Sequence, residues 1–250
     1  MEPYHQADGV TLYLGDVLAV LPSLPTGSVD AVIADPPYSS GGVTTAERKQ
    51  STRVKYVTGR LGDIIYERPD FPGDRRDQRG WAHWMALWLG EALRVTKPGG
   101  SVLIFTDWRQ LPAASDALQA AGWTWRGIVT WVKPRSRSRP TRGGFWGQAE
   151  YVLWGVNGSL RRDHDVYLPG VIEAAAPRGA ERLHQTEKPV ELLRTLVRVC
   201  PAGGMVLDPF AGSGSAGVAA RLEGRAVVAV ELAEYYAAMA RDRLSDPAAL

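Results

Sequence analysis

Apolar residues along this chain fall into two alternating patterns. Short runs rich in β-branched residues and bounded by turn formers, residues 10–15 (VTLYLG) and 29–34 (VDAVIA), predict strands, with a short helix at residues 17–21 between them that Pro22 closes. Between Trp81 and Thr96, Trp81, Trp84, Leu87, Trp88 and Leu93 recur at helical spacing. The tryptophans read as core, and the run Lys97-Pro98-Gly99-Gly100 as the helix stop. A strand at 101–106, a helix around 109–121 and strands near 124–132 and 149–156 continue the alternation. They are followed by a helix at about 190–199, a strand at 205–208, a helix at about 215–223, a strand at 226–231 and a last helix from Ala233. Strands alternating with helices throughout predict an α/β fold: a doubly wound, mostly parallel sheet covered on both faces.

Two stretches lose this periodicity. Residues 39–79 carry nine Lys or Arg against six acids and read as a long surface insertion, while residues 133–144 (KPRSRSRPTRGG) hold five cations and no acid. These segments change the meaning of the overall charge. The chain has 250 residues with 29 Lys+Arg against 27 Asp+Glu, a net of +2 that by itself gives no hint of a polyanionic partner. With 45% hydrophobic and 22% charged residues the composition is that of a globular chain, one domain in size. A single cysteine, Cys200, closes no intrachain disulfide. The histidines at 5, 83, 164 and 184 show no metal-ligand spacing with it, so neither a disulfide framework nor a metal site is expected. No apolar run nears the ~18 residues that span a bilayer, and the N-terminal segment has no signal-peptide pattern. A cytoplasmic protein is expected.

The most informative stretch is residues 205–232. A buried strand ends in Asp208-Pro209-Phe210, a turn with Gly212, Ser213, Gly214 and Gly217 opens a helix, and the next strand ends in Glu231, 19 residues after Gly212. Glycines let backbone approach a ligand, a helix N-terminus offers unpaired N–H groups, and an acid at the second strand's end can accept ribose hydroxyls. The spacing Gly212-x-Gly214-x-x-Gly217 also satisfies the dinucleotide fingerprint, which leaves a nicotinamide-dependent oxidoreductase open. Asp208 favours the other reading. A carboxylate there repels a pyrophosphate and suits a cationic ligand such as S-adenosylmethionine.

The strand at 29–34 runs into Asp35-Pro36-Pro37-Tyr38. Two prolines take the chain stiffly off the sheet with Asp35 at the tip. An exocyclic amino group of a nucleobase is a poor nucleophile because its lone pair is delocalised. A carboxylate and a carbonyl accepting its two N–H bonds, here Asp35 and the Pro36 carbonyl, would aim the lone pair at an electrophilic methyl, and Tyr38 would stack on a base flipped from the duplex.

The sequence resembles the amino-methyltransferases of DNA. Their catalytic motif (D/N/S)PP(Y/F) is matched by Asp35–Tyr38, and their cofactor motif (D/P)PFxGxG by Asp208-Pro209-Phe210-Ala211-Gly212-Ser213-Gly214. HQTEKPVELL at 184–193 resembles the family's HxTxKPxxLL segment, and LGDVLAVLPSLPTGSVDAVIADPPY its approach to the catalytic motif. The order, catalytic motif first, is that of the β group. The resemblance implies a seven-stranded, Rossmann-like methyltransferase sheet in a single catalytic domain over 1–250, with the basic insertion at about 39–80 and a target-recognition segment at about 133–183. By position it implies that Asp208, Pro209, Phe210, Gly212, Ser213 and Gly214 line the methionine and adenosine portions of S-adenosylmethionine. Glu231 would take the ribose, Asp16 the adenine end, and Thr186 and Lys188 the methionine carboxylate. His184 reads as a turn residue.

The implied activity is S-adenosylmethionine-dependent methylation of double-stranded DNA at the N6 of adenine, by base flipping and direct transfer. Cytosine-N4 is the nearest rival, and a DNA-binding module without catalysis a more remote one. Carbon methylation of cytosine needs a thiolate, and Cys200, late in an apolar helix, reads as core. Lys133, Arg135, Arg137, Arg139 and Arg142 are the expected phosphate contacts. Similar enzymes include dimers, so a homodimer stays open, as does a restriction partner.

Overall fold

The computed structural model describes residues 1–39, 76–137, 142–162, 165–177 and 187–245. In chain order the elements are β1 (His5–Ala7), β2 (Val10–Leu14), α1 (Val17–Val20), β3 (Val29–Ala34), α2 (Gln78–Val95), β4 (Thr96–Thr106), α3 (Leu111–Ala120) and β5 (Thr124–Val132). Then come β6 (Ala149–Val156), β7 (Val171–Glu173), α4 (Val190–Val197), β8 (Met205–Asp208), α5 (Ser215–Leu222), β9 (Ala226–Glu231) and α6 (Glu234–Ser245). The described strands form one sheet in the order β1-β2-β9-β8-β3-β4-β6-β5-β7. From β2 to β4 the neighbours are parallel, whereas β6 runs antiparallel to both β4 and β5. Seven strands have four or more residues, the number expected. Two three-residue strands at the sheet's edges bring the total to nine.

Both faces are covered. On one, Trp81, Trp88 and Leu89 of α2 and Leu118 of α3 pack on Val32, Val102 and Ile104. On the other, Leu192 and Leu196 of α4, Val218 of α5 and Leu244 of α6 pack on Ile33, Phe105, Val206 and Val227. Full burial of each large side chain contributes ~1.5–3 kcal/mol before the entropy of ordering is subtracted.

Three sequence expectations shift. The helix stops where expected, just before the Lys-Pro-Gly-Gly run, but that run is strand and not turn. It starts at Gln78, capped by the Asp77 carboxylate accepting from Gly80 N at 2.8 Å, and ends at Val95, and β4 runs through residues 97–100. The glycines serve close approach instead: a Cβ on Gly100 would lie 2.7 Å from the Asp30 carbonyl oxygen, and the β3–β4 register shifts there, between Val29 and Ala31. Leu87 lies on the solvent side of α2, 47% exposed. The edge strand β1 was missed although Asp8-Gly9, with φ of 49° and 78°, makes a two-residue turn of the kind that favours hairpins. The expected insertion over residues 39–80 lies almost wholly outside the described residues, and α2 already occupies 78–80.

Candidate active site

Strand order assembles the site. β3 and β8 are parallel neighbours at the centre. The chain leaves β3 toward β4 on one side and β8 toward β9 on the other, so their carboxyl ends flank a topological switch point, where ligands bind in open α/β sheets. Asp35 follows β3 and Asp208 ends β8. Glu231 ends the next strand out, and Asp16 follows the one after that, with Gly15 N donating to the Glu231 carbonyl at 2.8 Å. On the other side β6 runs antiparallel, so its first residues, including Glu150, share this edge with Lys133 at the end of β5. All these residues line one cavity of about 480 Å³, within the usual range for small-molecule sites.

The glycine turn is built for this position. Gly214 caps α5 with φ of 82° in the left-handed region, where a Cβ is strained. The turn is held from outside by Arg243 of α6, whose Nη1 donates to the Ser213 carbonyl at 2.8 Å and pairs with buried Glu187 at 3.1 Å. Gly217, third in the dinucleotide-like spacing, serves packing: a Cβ there would lie 2.7 Å from Leu244 Cδ2. Glu231 turns its carboxylate back onto the turn, accepting from Gly212 N and Ala233 N at 2.8 Å each. Burial nevertheless holds its pKa above the ordinary value. Asp208 is 3% exposed. Burial, helped by the neighbouring Asp35 and Glu231 charges and opposed by the Phe210 N–H, pushes it up to about 8. A carboxyl forced neutral beneath a cavity gains most from a cationic ligand. Phe210 is fixed edge-on against Trp88, ring centroids 5.1 Å apart, with Trp84 at 5.5 Å.

The Asp-Pro-Pro-Tyr segment is clamped from two helices. Trp81 of α2 donates through Nε1 to the Pro37 carbonyl at 2.7 Å, and Gln110 at the start of α3 donates to the Tyr38 carbonyl at 2.8 Å. The chain leaves through Ser39, a buried non-glycine with φ of 52°; such backbone strain clusters at functional sites. Tyr38 Oη donates to Glu150 Oε2 at 3.3 Å. Burial, together with the Asp35 and Glu150 charges, holds the Tyr38 hydroxyl well above the usual phenol range.

Lys188 lines the same cavity. Its Nζ lies 2.8 and 2.7 Å from the two Asp35 carboxylate oxygens and 3.8 Å from Glu150 Oε2, so within the cavity it pairs with the acid that follows β3. Lys133, expected on a DNA phosphate, turns inward to pair with Glu150 Oε1 and lies 4.8 Å from the Trp131 ring centroid. Burial raises the Asp35 carboxyl and outweighs the opposing pull of Lys188. Burial also raises Glu150, but Lys188 and Lys133 more than offset this and hold it below the ordinary value.

Of the other expected site residues, Asp16 lies on the cavity rim, one oxygen capping α1 by accepting from Leu18 N at 2.8 Å. Pro36, Pro37, Pro209, Phe210, Gly212 and Ser213 line the cavity. Arg135 is exposed and lies 5.8 Å from the Trp146 ring centroid, and Arg142 is exposed. Arg137 belongs to a single 3₁₀ turn, while Arg139, Thr186 and His184 lie outside the described residues. Glu150 and Glu187 were missed. Neither sits in a residue pattern of its own, and only strand pairing brings Glu150 to the cavity. Cys200 is fully buried, and burial above all pushes its thiol up to about 12, which suits core and not a nucleophile. Among the described residues no group of His, Cys, Asp and Glu is arranged to hold a metal, and no helix is long and apolar enough to cross a membrane.

The family model for N6/N4 DNA methylases matches residues 29–168 and 162–242, and so spans both acid-tipped strands. The chain belongs to this DNA methylase family. Among its relatives, the putative methylase YubD of Escherichia coli strain K12 is 29% identical, the match covering 92% of this chain and 88% of YubD. The fold is shared with TTHA0409, a putative DNA modification methylase from Thermus thermophilus solved in complex with S-adenosyl-L-methionine (TM-score 0.66, 22% identity, 94% of this chain and 95% of that one). It is also shared with the PvuII DNA methyltransferase, described as cytosine-N4-specific (TM-score 0.70, 14% identity, 98% of this chain and 93% of that one). Membership in the methylase family excludes the oxidoreductase reading left open by the glycine spacing.

Proposed function

We propose that this methylase transfers a methyl group from S-adenosylmethionine to the exocyclic N6 of adenine in double-stranded DNA, directly and without a covalent enzyme intermediate. The observation that carries the reading is the placement of Asp35 and Asp208 at the tips of adjacent parallel strands over one cavity. The residues fit the cofactor. Asp208, neutral when buried alone, suits its cationic end, and Glu231 on the next strand suits the ribose. When bound, the cofactor supplies an electrophilic sulfonium methyl.

The chain's own part is to bind, orient and exclude water. The clamped Asp35 accepts an N–H of the target amine, the Pro36 carbonyl accepts the other, and Tyr38 lies against the base face. The proton lost from the methylated nitrogen goes to Asp35, whose raised pKa suits it to receive one. Arg135 and Arg142, exposed on the segment between β5 and β6 at the same sheet edge, are the proposed phosphate contacts. The preference for adenine rests on Asp, rather than Ser, at position 35. The fold does not discriminate, since a cytosine-N4-specific enzyme shares it. Expressing the protein in a host without DNA methylation of its own, then sequencing with chemistry that separates N6-methyladenine from N4-methylcytosine, tests base and site together. Only N4-methylcytosine would overturn the adenine reading, and no methylation at any site would overturn the activity.

A further inference from the structure

The mechanism uses Asp35 as an acceptor, yet both its oxygens are already taken by one buried ammonium. Lys188 is 6% exposed and lies within 2.8 Å of each. That contact uses one lone pair on each oxygen and leaves an entering amine N–H only the others, and an ammonium beside it opposes the positive charge that grows on the attacked nitrogen. The cavity also holds a second seat for Lys188. Glu150 Oε2, on the regular strand β6, is 3.8 Å from Nζ, already a loose ion pair and about one ångström short of hydrogen-bond contact, while its Oε1 holds Lys133. Charges therefore alternate along a row of contacts: Asp35, Lys188, Glu150, Lys133.

Resting on the methyltransferase reading, we propose that Glu150 is a positioning residue that draws Lys188 off Asp35 when the target amine enters. Lys188 shifts from one carboxylate to the other within the cavity and stays paired throughout, while the target amine takes its place on Asp35. Tyr38, which donates to Glu150 Oε2 and whose ring centroid lies 5.3 Å from Nζ, neighbours both partners of the shift and would meet the base. Lys133, at the other end of the row and 23% exposed, is where a DNA phosphate can compete for the cation and leave Glu150 Oε1 for Lys188. The charged groups lining the cavity around the shift include Asp107 and Arg109 after β4, Arg76 before α2, Glu187 before α4, Asp208 on β8 and Glu231 on β9.

The test is a double-mutant cycle in single-turnover methyl transfer to duplex DNA, with Glu150→Gln, Lys188→Met and both together. Cofactor affinity by calorimetry and thermal midpoints serve as controls. The expected result is that Glu150→Gln lowers the transfer rate at least tenfold with cofactor affinity within twofold of the parent, because Lys188 stays on Asp35. Glu150→Asp recovers part of the rate. In the Lys188→Met background, which keeps measurable transfer with its acid limb moved to higher pH, adding Glu150→Gln changes the rate less than twofold. Equal losses from Glu150→Gln in both backgrounds, or no loss in either, would overturn the shift. So would a Lys188→Met rate too low to measure, since a masking lysine is dispensable, or loss of folding in Glu150→Gln and Glu150→Asp alike, which would make Glu150 structural. If the parent protein itself transfers no methyl to any DNA, the methyltransferase reading fails, a result distinct from an active parent whose cycle is additive.

Discussion

Asp208 offers the sharpest quantitative consequence. With its carboxyl pushed up to about 8, about 0.9 of the molecules carry that proton at pH 7 in the cofactor-free protein. A cation seated against it favours the ionised form, so binding S-adenosylmethionine at pH 7 should expel ~0.9 proton. Affinity should rise nearly tenfold per pH unit between 6 and 7 and level off above about 8. Asp208→Asn keeps the shape and removes the titration. Its proton release should fall close to that of the remaining groups, and the pH dependence of affinity should flatten. The readout is calorimetry of cofactor binding in buffers of different ionisation enthalpy, with the variant subtracting the cofactor's own ammonium. Stability should follow the same group. A carboxyl whose pKa is raised on folding contributes stability fully present below its unfolded value, near 4, and lost as pH rises through about 8. The cofactor-free protein should therefore show a falling thermal midpoint across that window, and Asp208→Asn a flatter one. Proton release near zero in the parent, or unaltered in the variant, would refute the assignment of Asp208 to the cationic end.

Other outcomes follow from the geometry. Asp35→Ala should abolish methyl transfer while cofactor affinity stays nearly intact; unchanged turnover would sink the mechanism. Trp81→Phe removes the 2.7 Å bond to the Pro37 carbonyl and should lower the turnover number more than cofactor affinity, read by steady-state kinetics alongside calorimetry. Gly217→Ala puts a Cβ 2.7 Å from Leu244 Cδ2, which must swing aside, while the helix gains ~0.5–1 kcal/mol in propensity, so denaturant titration should show a net change within ~1 kcal/mol with cofactor affinity held. A selective loss of affinity would mean that this glycine faces the ligand. Reversing charge at Arg135 and Arg142 should flatten the salt dependence of DNA binding, each lost phosphate contact removing ~0.9 from the logarithmic slope.

Much of this site was legible in the residues themselves. Asp35-Pro36-Pro37-Tyr38, the glycine turn and Glu231 are local signals, because turn chemistry and strand ends are set by near neighbours in the chain. So were seven strands, the two helical layers and the burial of Trp81, Trp84, Trp88 and Cys200. What the tertiary structure decided is adjacency. β8 lies beside β3 across more than 160 residues of chain, and β6 returns antiparallel, so that Glu150 meets Lys188 and Tyr38. Lys188 and Lys133, read from position as ligands for a cofactor carboxylate and a phosphate, each face carboxylates of the chain itself. A buried cation settles on the strongest acceptor that packing places within reach, and that choice is made by neighbours distant in sequence. The same holds for Asp208: its type and position are written in the chain, but its pKa is set by the burial and charges that the closed fold supplies.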